Sequence, residues 1–583
     1  MTAIRMRGIA ASPGIAIGTV RVIDRQTIKI PRLRITVYDV KSETDRLMVA
    51  IEESRQQLHV AMEAIRTEDE NQSGDHSLIL QAHLLMLEDD LLIQGTRSII
   101  SSDLVNAEWA LSKKTDEIKQ TLAGLGDDYF RERAQDITFV SNRVLRNLMG
   151  HATQIVNEQT ESCIIIADKL SPVETTQMVG APVLGFATEA GTRTGHTAIM
   201  AQALGIPAVV GVERLTERIG KGDTVIVDGI EGAVIIRPEP EVVDDYEARA
   251  ARHAELEKKL LSDRDQPATT ADGVQLSVLA NIEFPAEAAM ALDYGAEGVG
   301  LYRTEFLYLN RPEPPTEEEQ LNIYRTVTET LAPRRVVFRT FDLGADKLPN
   351  DRATREVNPA LGLRAIRLGL KNRTMFKEQL RALLRASNHG NLDIMFPMIS
   401  GVGELRQIKA VLEEARKELG ESVPEQVRIG CMIELPSAVL VADQLAREVD
   451  FFSIGTNDLI QYSLAIDRTN DHVAYLYTPF HPAIMRAVRM VIAAGKQAGI
   501  KVAMCGGLAA EPLLIPLLIG MGLRTLSMAP TSIPTVKAMI RTVNAAEAEE
   551  LTAQAFELTT ALEIEDLLRE YVENRLGPDF PRS

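Results

Sequence analysis

A histidine at a predicted helix start is the first residue whose setting suggests chemistry. His196 follows the turn AGTRTG, and the Ala, Ile, Met and Leu run after it predicts a helix that ends at 205–207. Free backbone N–H groups and the positive end of the helix dipole meet at such a start, so they would stabilise a phosphate formed on the imidazole. The alternative is a histidine that caps an ordinary turn.

Cationic side chains in the second half of the chain suggest a site for an anion. These side chains lie at the ends of predicted strands or in the loops that follow the strands. They are Arg303, Arg339, Lys347 and Arg468. Guanidinium groups bind planar carboxylates and tetrahedral phosphates in a bidentate way, so converging cations would suit a ligand that carries both groups. Taken singly, each arginine is more simply explained as a surface or salt-bridge residue.

Two carboxylates end neighbouring predicted strands. Glu434 and Asp458 would offer hard oxygen ligands to Mg²⁺, which normally keeps water and substrate oxygens as further ligands. Helix capping is the alternative explanation for Asp458. Asn457 beside it can donate to a substrate oxygen. Cys505 ends another strand, where it is either a small apolar residue or a proton donor.

A repeated pattern of short apolar strand and amphipathic helix positions these residues. The strands are predicted at 276–282, 298–306, 335–344, 392–399, 428–436, 451–459, 501–509 and 525–530. Eight such units in about 310 residues are what a (β/α)8 barrel of the TIM type requires. The polar residues that punctuate the strands lie at their C-terminal ends, where such barrels carry out their chemistry.

The first half of the chain predicts an interrupted α/β domain. Apolar runs in 4–23 predict β-strands, helical spacing from about 41 to 149 indicates a bundle, and strand-like texture returns from 163 to 236. The simplest topology pairs the early strands with the late ones and leaves the bundle as an insertion. The predicted segments are 1–24 with 150–238 for this domain, 25–149 for the helical insertion, 239–266 for a charged linker helix and 267–583 for the barrel.

Composition narrows the class of protein. The 583 residues are 45% hydrophobic and 25% charged, and the apolar runs are too short or too interrupted to enter a membrane. A net charge of -19 without a Lys/Arg cluster argues against nucleic acid and suits a basic protein partner. Three distant cysteines and an N-terminus without a signal-peptide core lead us to expect a cytoplasmic protein.

The motifs taken together resemble a known family. GTRTGHTAIMAQALGIPAVVG is similar to the phosphohistidine signature of enzymes that use phosphoenolpyruvate (PEP). The segments GLYRTEFLY, FRTFDLGADK, MIELPSA, GTNDLIQY, AIDR and MCGGLA resemble the PEP-binding barrel of the enzyme I family, the PEP–protein phosphotransferases of the sugar phosphotransferase system. The resemblance covers nearly the whole chain in the same domain order.

This resemblance implies a reaction and a role for each site residue. A swivelling phosphohistidine domain would take the phosphoryl group of PEP on His196 and pass it to the phosphocarrier protein HPr, and pyruvate would be released. Thr175 would orient the His196 imidazole, Cys505 would protonate the enolate carbon, and Glu434 with Asp458 would bind Mg²⁺. The implied PEP-binding residues are Arg303, Arg339, Lys347, Asn457, Asp458 and Arg468.

The resemblance also implies partners. The segments DYFRERAQD and QAHLLMLEDD are similar to the family's docking surface for HPr, and the implied contact residues are His83, Leu85, Met86, Leu92 and Arg133. The leucines and methionine occupy more helical faces than one core contact buries, and acidic residues follow them, which would suit a basic partner. The alternative is that they fill the bundle core. A homodimer assembled through the barrel is a further implication.

The sequence departs from the family pattern at Thr192, Gly195, Gln202 and Gly507. Three rival interpretations remain beside the sugar-system enzyme. A nitrogen-regulatory paralogue usually has an additional N-terminal sensory domain, and a pyruvate phosphate dikinase or PEP synthase needs a nucleotide-binding domain. We expect neither, because the chain begins with the phosphohistidine domain and has no GxxxxGK[ST] loop. A non-catalytic scaffold is disfavoured because the reactive residues are all present.

Overall fold

The structure is a computed structural model of the chain. It describes residues 3–23, 30–68, 84, 86–87, 90–123, 128–149, 162–170, 178, 182–191, 201, 205–220, 222–308, 313–344, 358–424, 427–467, 473 and 476–576. The chain divides into two compact units, Met1–Arg252 and His253–Ser583.

An eight-stranded sheet forms the centre of the first unit. Its strands are β1 (Ile4–Arg7), β2 (Ile9–Ser12), β3 (Ile15–Ile23), β4 (Cys163–Ala167), β5 (Val183–Thr188), β6 (Ala208–Val210), β7 (Thr224–Asp228) and β8 (Ala233–Ile236). They lie in the order β1-β8-β7-β3-β4-β5-β6-β2. β3 pairs parallel with β4 and antiparallel with β7, so the N-terminal strands join the later ones in a single sheet.

Apolar strand residues bury both faces of this sheet. All five residues of β4, CIIIA, are buried, as continuous apolar strands are when both faces are covered. Ile164 and Val225 belong to the core on one face, and Ile165 and Phe186 belong to the core on the other. This alternation of neighbouring residues between two cores follows from the two-residue period of a strand.

Helices lie between β3 and β4 in the chain. In the described residues they are α1 (Val40–Glu68), α2 (Asp90–Asp103), α3 (Ala107–Ala123) and α4 (Asp128–Leu148). They share a core that includes Leu47, Leu58, Ile100 and Val144, each at most 1% exposed. The helices therefore form a bundle with its own core, inserted between two strands of the sheet.

A long helix follows the sheet. After the short α5 (Leu215–Arg218), α6 spans Pro240–Ser262. Its first half packs on the sheet through Val242 and the buried Tyr246. Arg249 lies over the Tyr246 ring at 4.6 Å from its centroid, and its Nη2 is 3.4 Å from Oδ2 of the fully buried Asp228. An aromatic contact and a buried ion pair thus hold this half of α6 on the first unit.

The second unit is a closed parallel barrel. Its strands are β9 (Ser277–Ile282), β10 (Gly298–Arg303), β11 (Arg335–Arg339), β12 (Asn391–Phe396), β13 (Ile429–Ile433), β14 (Phe451–Gly455), β15 (Lys501–Cys505) and β16 (Thr525–Met528). They follow chain order, and β16 closes on β9. The predicted barrel is confirmed, and each observed strand lies in its predicted segment apart from Asn391, which precedes 392–399 by one residue.

Helices cover the outside of the barrel. They are α7 (Glu287–Asp293), α8 (Glu317–Leu331), α9 (Ala365–Lys371), α10 (Arg373–Ala386), α11 (Val402–Leu419), α12 (Pro436–Leu440), α13 (Ala442–Leu445), α14 (Thr456–Leu464), α15 (Pro482–Ala498), α16 (Gly507–Ala510), α17 (Ile515–Gly520), α18 (Ile533–Thr542), α19 (Ala545–Glu557) and α20 (Ala561–Leu576). Short 3-10 turns occur at Thr304–Leu307, Pro359–Leu361, Ser387–His389, Gly420–Ser422, Pro512–Leu514 and Pro530–Ser532.

Local sequence signals explain where several of these helices begin. Thr316 caps α8 through a capping box with Glu319, and α15 starts at Pro482 with the His481 ring accepting from Ala483 N. None of the helices in the described part of the chain has an apolar stretch long enough to cross a bilayer.

The burial of Asp228 predicts that replacing its partner Arg249 costs more stability than replacing the exposed Arg5. Arg249→Met leaves this carboxylate without its ion-pair partner, although Ile230 N and Glu231 N still donate to it. We expect a loss of about 2–3 kcal/mol in the local stability of β7 and β8, measured by amide hydrogen exchange. The matched control is Arg5→Met, because Arg5 pairs with Glu231 at an exposed position and should cost about 0.5 kcal/mol or less. Equal losses in the two variants would contradict the role of burial.

Candidate active site

One rim of the barrel brings together the described residues of the predicted site. Arg303, Arg339 and Cys505 are the last residues of β10, β11 and β15, Glu434 follows β13, and Asn457 and Asp458 lie in the first turn of α14. The C-terminal ends of parallel barrel strands face the same side. These six residues therefore share one mouth.

The two rim arginines are paired with carboxylates that the sequence analysis did not select. Arg303 forms an ion pair with Glu283, and Arg339 forms one with Glu305. The Arg339 side chain is only 9% exposed, and its Nη1 also lies 3.2 Å from Oδ2 of Asp342. These carboxylates neutralise and orient the guanidinium groups at the rim.

A further arginine joins the mouth and was missed by the sequence analysis. Arg364 donates from Nε at 3.1 Å and from Nη2 at 2.8 Å to Asp342 Oδ1, and from Nη1 at 3.0 Å to the Tyr462 hydroxyl. It immediately precedes α9 and follows an irregular segment, so the rule that selected residues at strand ends could not find it. The NPALGLR segment carries no periodic signal that would have singled it out.

Asp342 is the shared anion of this cluster. Its side chain is only 3% exposed, and burial alone would raise the carboxyl pKa. The nearby guanidinium groups of Arg339 and Arg364 outweigh that effect and hold the pKa of Asp342 below its usual value. Asp342 therefore stays ionised and holds two cations in place.

Glu434 has an unusual environment for a carboxylate. It is 1% exposed, and its Oε1 accepts a 2.6 Å hydrogen bond from Met398 N. Met398 has a φ of 56°, a left-handed conformation that costs a non-glycine residue on the order of 1 kcal/mol. Oε2 accepts no hydrogen bond from any part of the chain that the structure describes. Burial, reinforced by the charges of Asp458 and Asp342, raises the pKa of Glu434 to about 8.

These features fit a divalent cation. A Cβ at Gly455 would lie 2.7 Å from Glu434 Oε2, so glycine keeps space open beside the unpaired oxygen. Mg²⁺ is commonly held by one or two carboxylates together with substrate oxygens and water. Glu434 and Asp458 provide such a pair. Among the residues that the structure describes, no group of three or more His, Cys, Asp or Glu side chains is arranged around a metal.

Cys505 is placed as a protonated thiol. It is 2% exposed, and Ser453 Oγ donates to its sulfur at 3.3 Å. Burial raises the thiol pKa, and this effect exceeds the opposing ones of the Ser453 hydroxyl and of Arg339. At neutral pH the group therefore keeps its proton and can donate it.

The Gly-Gly turn after Cys505 orders its neighbour Asn457. Gly506 has a φ of 101°, and a Cβ there would lie 2.6 Å from Thr456 Oγ1, so a side chain is excluded. Gly507 N donates to Asn457 Oδ1 at 3.2 Å. The amide nitrogen of Asn457 is thus left to donate to a ligand. Gly507, where the sequence departs from the family pattern, thus supplies the backbone donor that holds Asn457.

Some predicted residues lie outside the part of the chain that the structure describes. They are His196, Thr175, Lys347, Arg468, His83, Leu85, Thr192, Gly195 and Gln202. For Arg133 only the backbone is described. Met86 is half-buried and packs against the bundle core. The sequence predicts Leu92 as a docking residue. Leu92 is 2% exposed and belongs to the bundle core, so the alternative that it fills this core applies to it instead.

The pKa of Glu434 leads to a prediction for stability. An unfolded glutamate titrates near 4.3. Because the folded pKa is higher, protonation favours the folded state, and this contribution is lost as the pH rises to about 8. Glu434→Gln keeps the acceptor for Met398 N and removes the charge. We expect it to raise the thermal midpoint of the metal-free protein increasingly from pH 5 to about 8, with no further gain above.

The gain at pH 8.5 corresponds to on the order of a few kcal/mol. It is measured by differential scanning calorimetry in the presence of a chelator. Glu550→Gln, at an exposed position of α19, is the matched control and should change the midpoint little at any pH. A gain from Glu434→Gln that is the same at pH 5 and pH 8.5 would contradict the assigned burial of charge.

Comparisons with known proteins agree with this geometry. Residues 257–545 match the family model described as PEP-utilising enzyme, PEP-binding domain, and residues 7–133 and 159–232 match the N-terminal and mobile-domain models of PEP-utilising enzymes. The first of these matches contains every rim residue described above.

Full-length relatives extend the likeness to the whole chain. The chain is 44% identical over 564 residues to a phosphoenolpyruvate-protein phosphotransferase of Geobacillus stearothermophilus, covering 96% of both chains. It is 42% identical over 573 residues to the protein of that name from Bacillus subtilis (strain 168), covering 97% of this chain and 99% of the relative.

Among solved structures, the NMR solution structure of an Enzyme I protein is 36% identical and covers 43% of this chain and 99% of its own, with a TM-score of 0.38. Because the chain is 42% and 44% identical to the two full-length relatives over nearly its whole length, it belongs to the phosphoenolpyruvate-protein phosphotransferase family.

Proposed function

We propose that this chain takes the phosphoryl group of PEP on its own His196 and passes it to the phosphocarrier HPr, releasing pyruvate as the first step of the phosphotransferase system. One observation carries the proposal: guanidinium groups, an unpaired buried carboxylate and a protonated thiol meet at one barrel rim. PEP has a carboxylate and a phosphate that guanidinium groups would bind, phosphoryl oxygens that would share a cation with the protein carboxylate, and a carbon that must gain a proton from a donor such as the thiol.

Cations at the rim would bind the two anionic groups of PEP. Arg303, Arg339 and Arg364 are already oriented by Glu283, Glu305 and Asp342, so little side-chain entropy remains to be lost on binding. Lys347 and Arg468 are proposed to complete the set, and Asn457 to donate to a substrate oxygen. In a largely buried rim these charges act with less screening than in water.

Glu434 and Asp458 are the proposed ligands of Mg²⁺. The cation would neutralise charge on the transferring phosphoryl group. The protein's own contribution is to keep Glu434 Oε2 unpaired and to leave room at Gly455. Binding a cation there would lower the free-energy cost of burying the carboxylate, because the ionised form would gain a partner.

The balance of the reaction assigns a role to Cys505. The bond between phosphorus and the enol oxygen breaks while a bond from phosphorus to an imidazole nitrogen of His196 forms, which leaves the enolate of pyruvate. That enolate carbon needs a proton, and the Cys505 thiol retains one at neutral pH. The thiolate that results lies near Arg339 and Ser453, both of which favour the anion.

His196 is proposed as a relay, with Thr175 orienting its ring. A neutral imidazole nitrogen is nucleophilic near pH 7, and its phosphoramidate stays reactive enough for the next transfer. His196 lies in the stretch that matches the mobile-domain model, and this supports a domain that moves between PEP and HPr. The helical insertion, with His83, Leu85, Met86 and Arg133, is the proposed docking surface for HPr.

The proposed function also has a cellular compartment and an oligomeric state. The three cysteines are buried free thiols, as in proteins of a reducing compartment, which supports action in the cytoplasm. We propose a homodimer that assembles through the barrel.

The test uses PEP labelled in its phosphate, with Mg²⁺ and the full-length protein. We expect one acid-labile, base-stable label per chain, chased off by purified HPr, and no label on His196→Ala. Cys505→Ala keeps the histidine and should form the labelled protein about 100-fold or more slowly, because general acid catalysis supplies factors of that size. Acid-labile label on His196→Ala would overturn the proposal, and an unchanged rate in Cys505→Ala would assign the proton to another donor.

A further inference from the structure

A tyrosine on α14, the partner of Arg364 at the rim, has a hydroxyl that the proposed reaction does not use. Tyr462 is four residues after Asp458, so the two side chains share one face of the helix. The charge of Asp458 is among the influences that raise the phenol pKa, after burial, which is consistent with this proximity. Tyr462 thus lies on the helix that presents Asn457 and Asp458, yet on its last turn.

The Tyr462 hydroxyl connects two segments. It accepts a hydrogen bond of 3.0 Å from Arg364 Nη1 and donates one of 2.5 Å to the carbonyl oxygen of Ala360. A guanidinium can only donate and a carbonyl can only accept, so the single phenol proton must point to Ala360. Only a hydroxyl group can serve both partners from this position.

This hydroxyl completes the fixation of Arg364. Asp342 Oδ1 receives the Nε and Nη2 hydrogen bonds, and the phenol receives one from Nη1. Three of the five N–H donors of the guanidinium are then used, and two are left for a ligand. Asp342 contacts one edge of the guanidinium, whereas Tyr462 fixes the other nitrogen.

The hydroxyl also holds the approach to this arginine. Ala360 is the middle residue of the turn Pro359–Leu361, and Leu361 is 65% exposed, so this turn has little apolar packing of its own. Arg364 follows three residues later. Without the Tyr462 bond, both the turn and the guanidinium lose a fixed point in α14.

We propose that Tyr462 is a positioning residue for the PEP site, acting through Arg364 and the Pro359–Leu361 turn without touching the substrate. The inference rests on the proposed function, because it assumes that Arg364 binds an anionic group of PEP. Its consequence is that removing one oxygen atom from Tyr462 should weaken PEP binding and leave the chemical step nearly intact.

Tyr462→Phe in the full-length protein tests this. We expect the KM for PEP to rise about tenfold, as for the loss of one hydrogen bond to a charged group, with kcat within about threefold of the unmodified value. The matched control is Tyr571→Phe on α20, because the buried Tyr571 hydroxyl has no hydrogen-bond partner among the described residues. That variant should have unchanged KM and kcat.

A double-mutant cycle shows whether Tyr462 acts through Arg364. In an Arg364→Lys background, adding Tyr462→Phe should change kcat/KM for PEP by less than about twofold, because the geometry that Tyr462 protects is already lost. Additive effects, or an unchanged KM in Tyr462→Phe alone, would overturn the inference while the proposed function stands. An unmodified protein that PEP does not phosphorylate would overturn both.

Discussion

Charge is buried at the barrel mouth, and the need to pair that charge dictates how the rim is arranged. Arg339 is 9% exposed and Asp342 3%, and in surroundings of low dielectric neither is stable without the other. Asp342 forms ion pairs with both Arg339 and Arg364, one through each of its carboxylate oxygens. The barrel thereby carries cations at its rim, oriented before any ligand arrives.

One acidic side chain at the barrel mouth is only partly hydrogen-bonded. Glu434 keeps one oxygen without a hydrogen bond, its pKa is raised to about 8, and Met398 adopts a left-handed conformation to donate to the other oxygen. A buried carboxyl group with an unpaired oxygen and local backbone strain both cost stability, and they persist where the surrounding fold is stable enough to impose them. A closed barrel with a continuous apolar core satisfies that requirement. In the proposed function, a cation and a phosphate would supply the missing partners.

The division into two units suits a phosphoryl relay. One unit has a sheet, an inserted bundle and the first half of α6, which the Arg249 and Asp228 ion pair holds on that sheet. The other contains the closed barrel and the described residues of its rim. A protein that must meet PEP and a phosphocarrier in turn can use separate bodies for the two encounters, and domain movement on the microsecond to millisecond scale is compatible with enzyme turnover.

Sequence reasoning succeeded where a pattern repeats. The eight strands of the barrel alternate with amphipathic helices, and polar residues at the C-terminal ends of several strands mark the rim, so Arg339, Glu434 and Cys505 could be selected without a structure. Arg364 could not, because it follows an irregular segment and owes its place to Asp342 and Tyr462. Leu92 shows the complementary limit: helical spacing identifies apolar faces, but only packing shows that this one lies in the bundle core.

The cations of the barrel rim are proposed to bind PEP. Titration calorimetry of PEP and Mg²⁺ into His196→Ala measures binding without turnover, and we predict a single saturable site per chain. Adding Arg339→Met should weaken binding by about 100-fold or more. Arg335→Met is the control, because Arg335 begins the same strand and pairs with Asp393 at the opposite end of the barrel. Affinity that is lost with Arg339→Met and kept with Arg335→Met would place PEP at the rim cations, and equal affinity in all three proteins would show that these cations do not bind PEP.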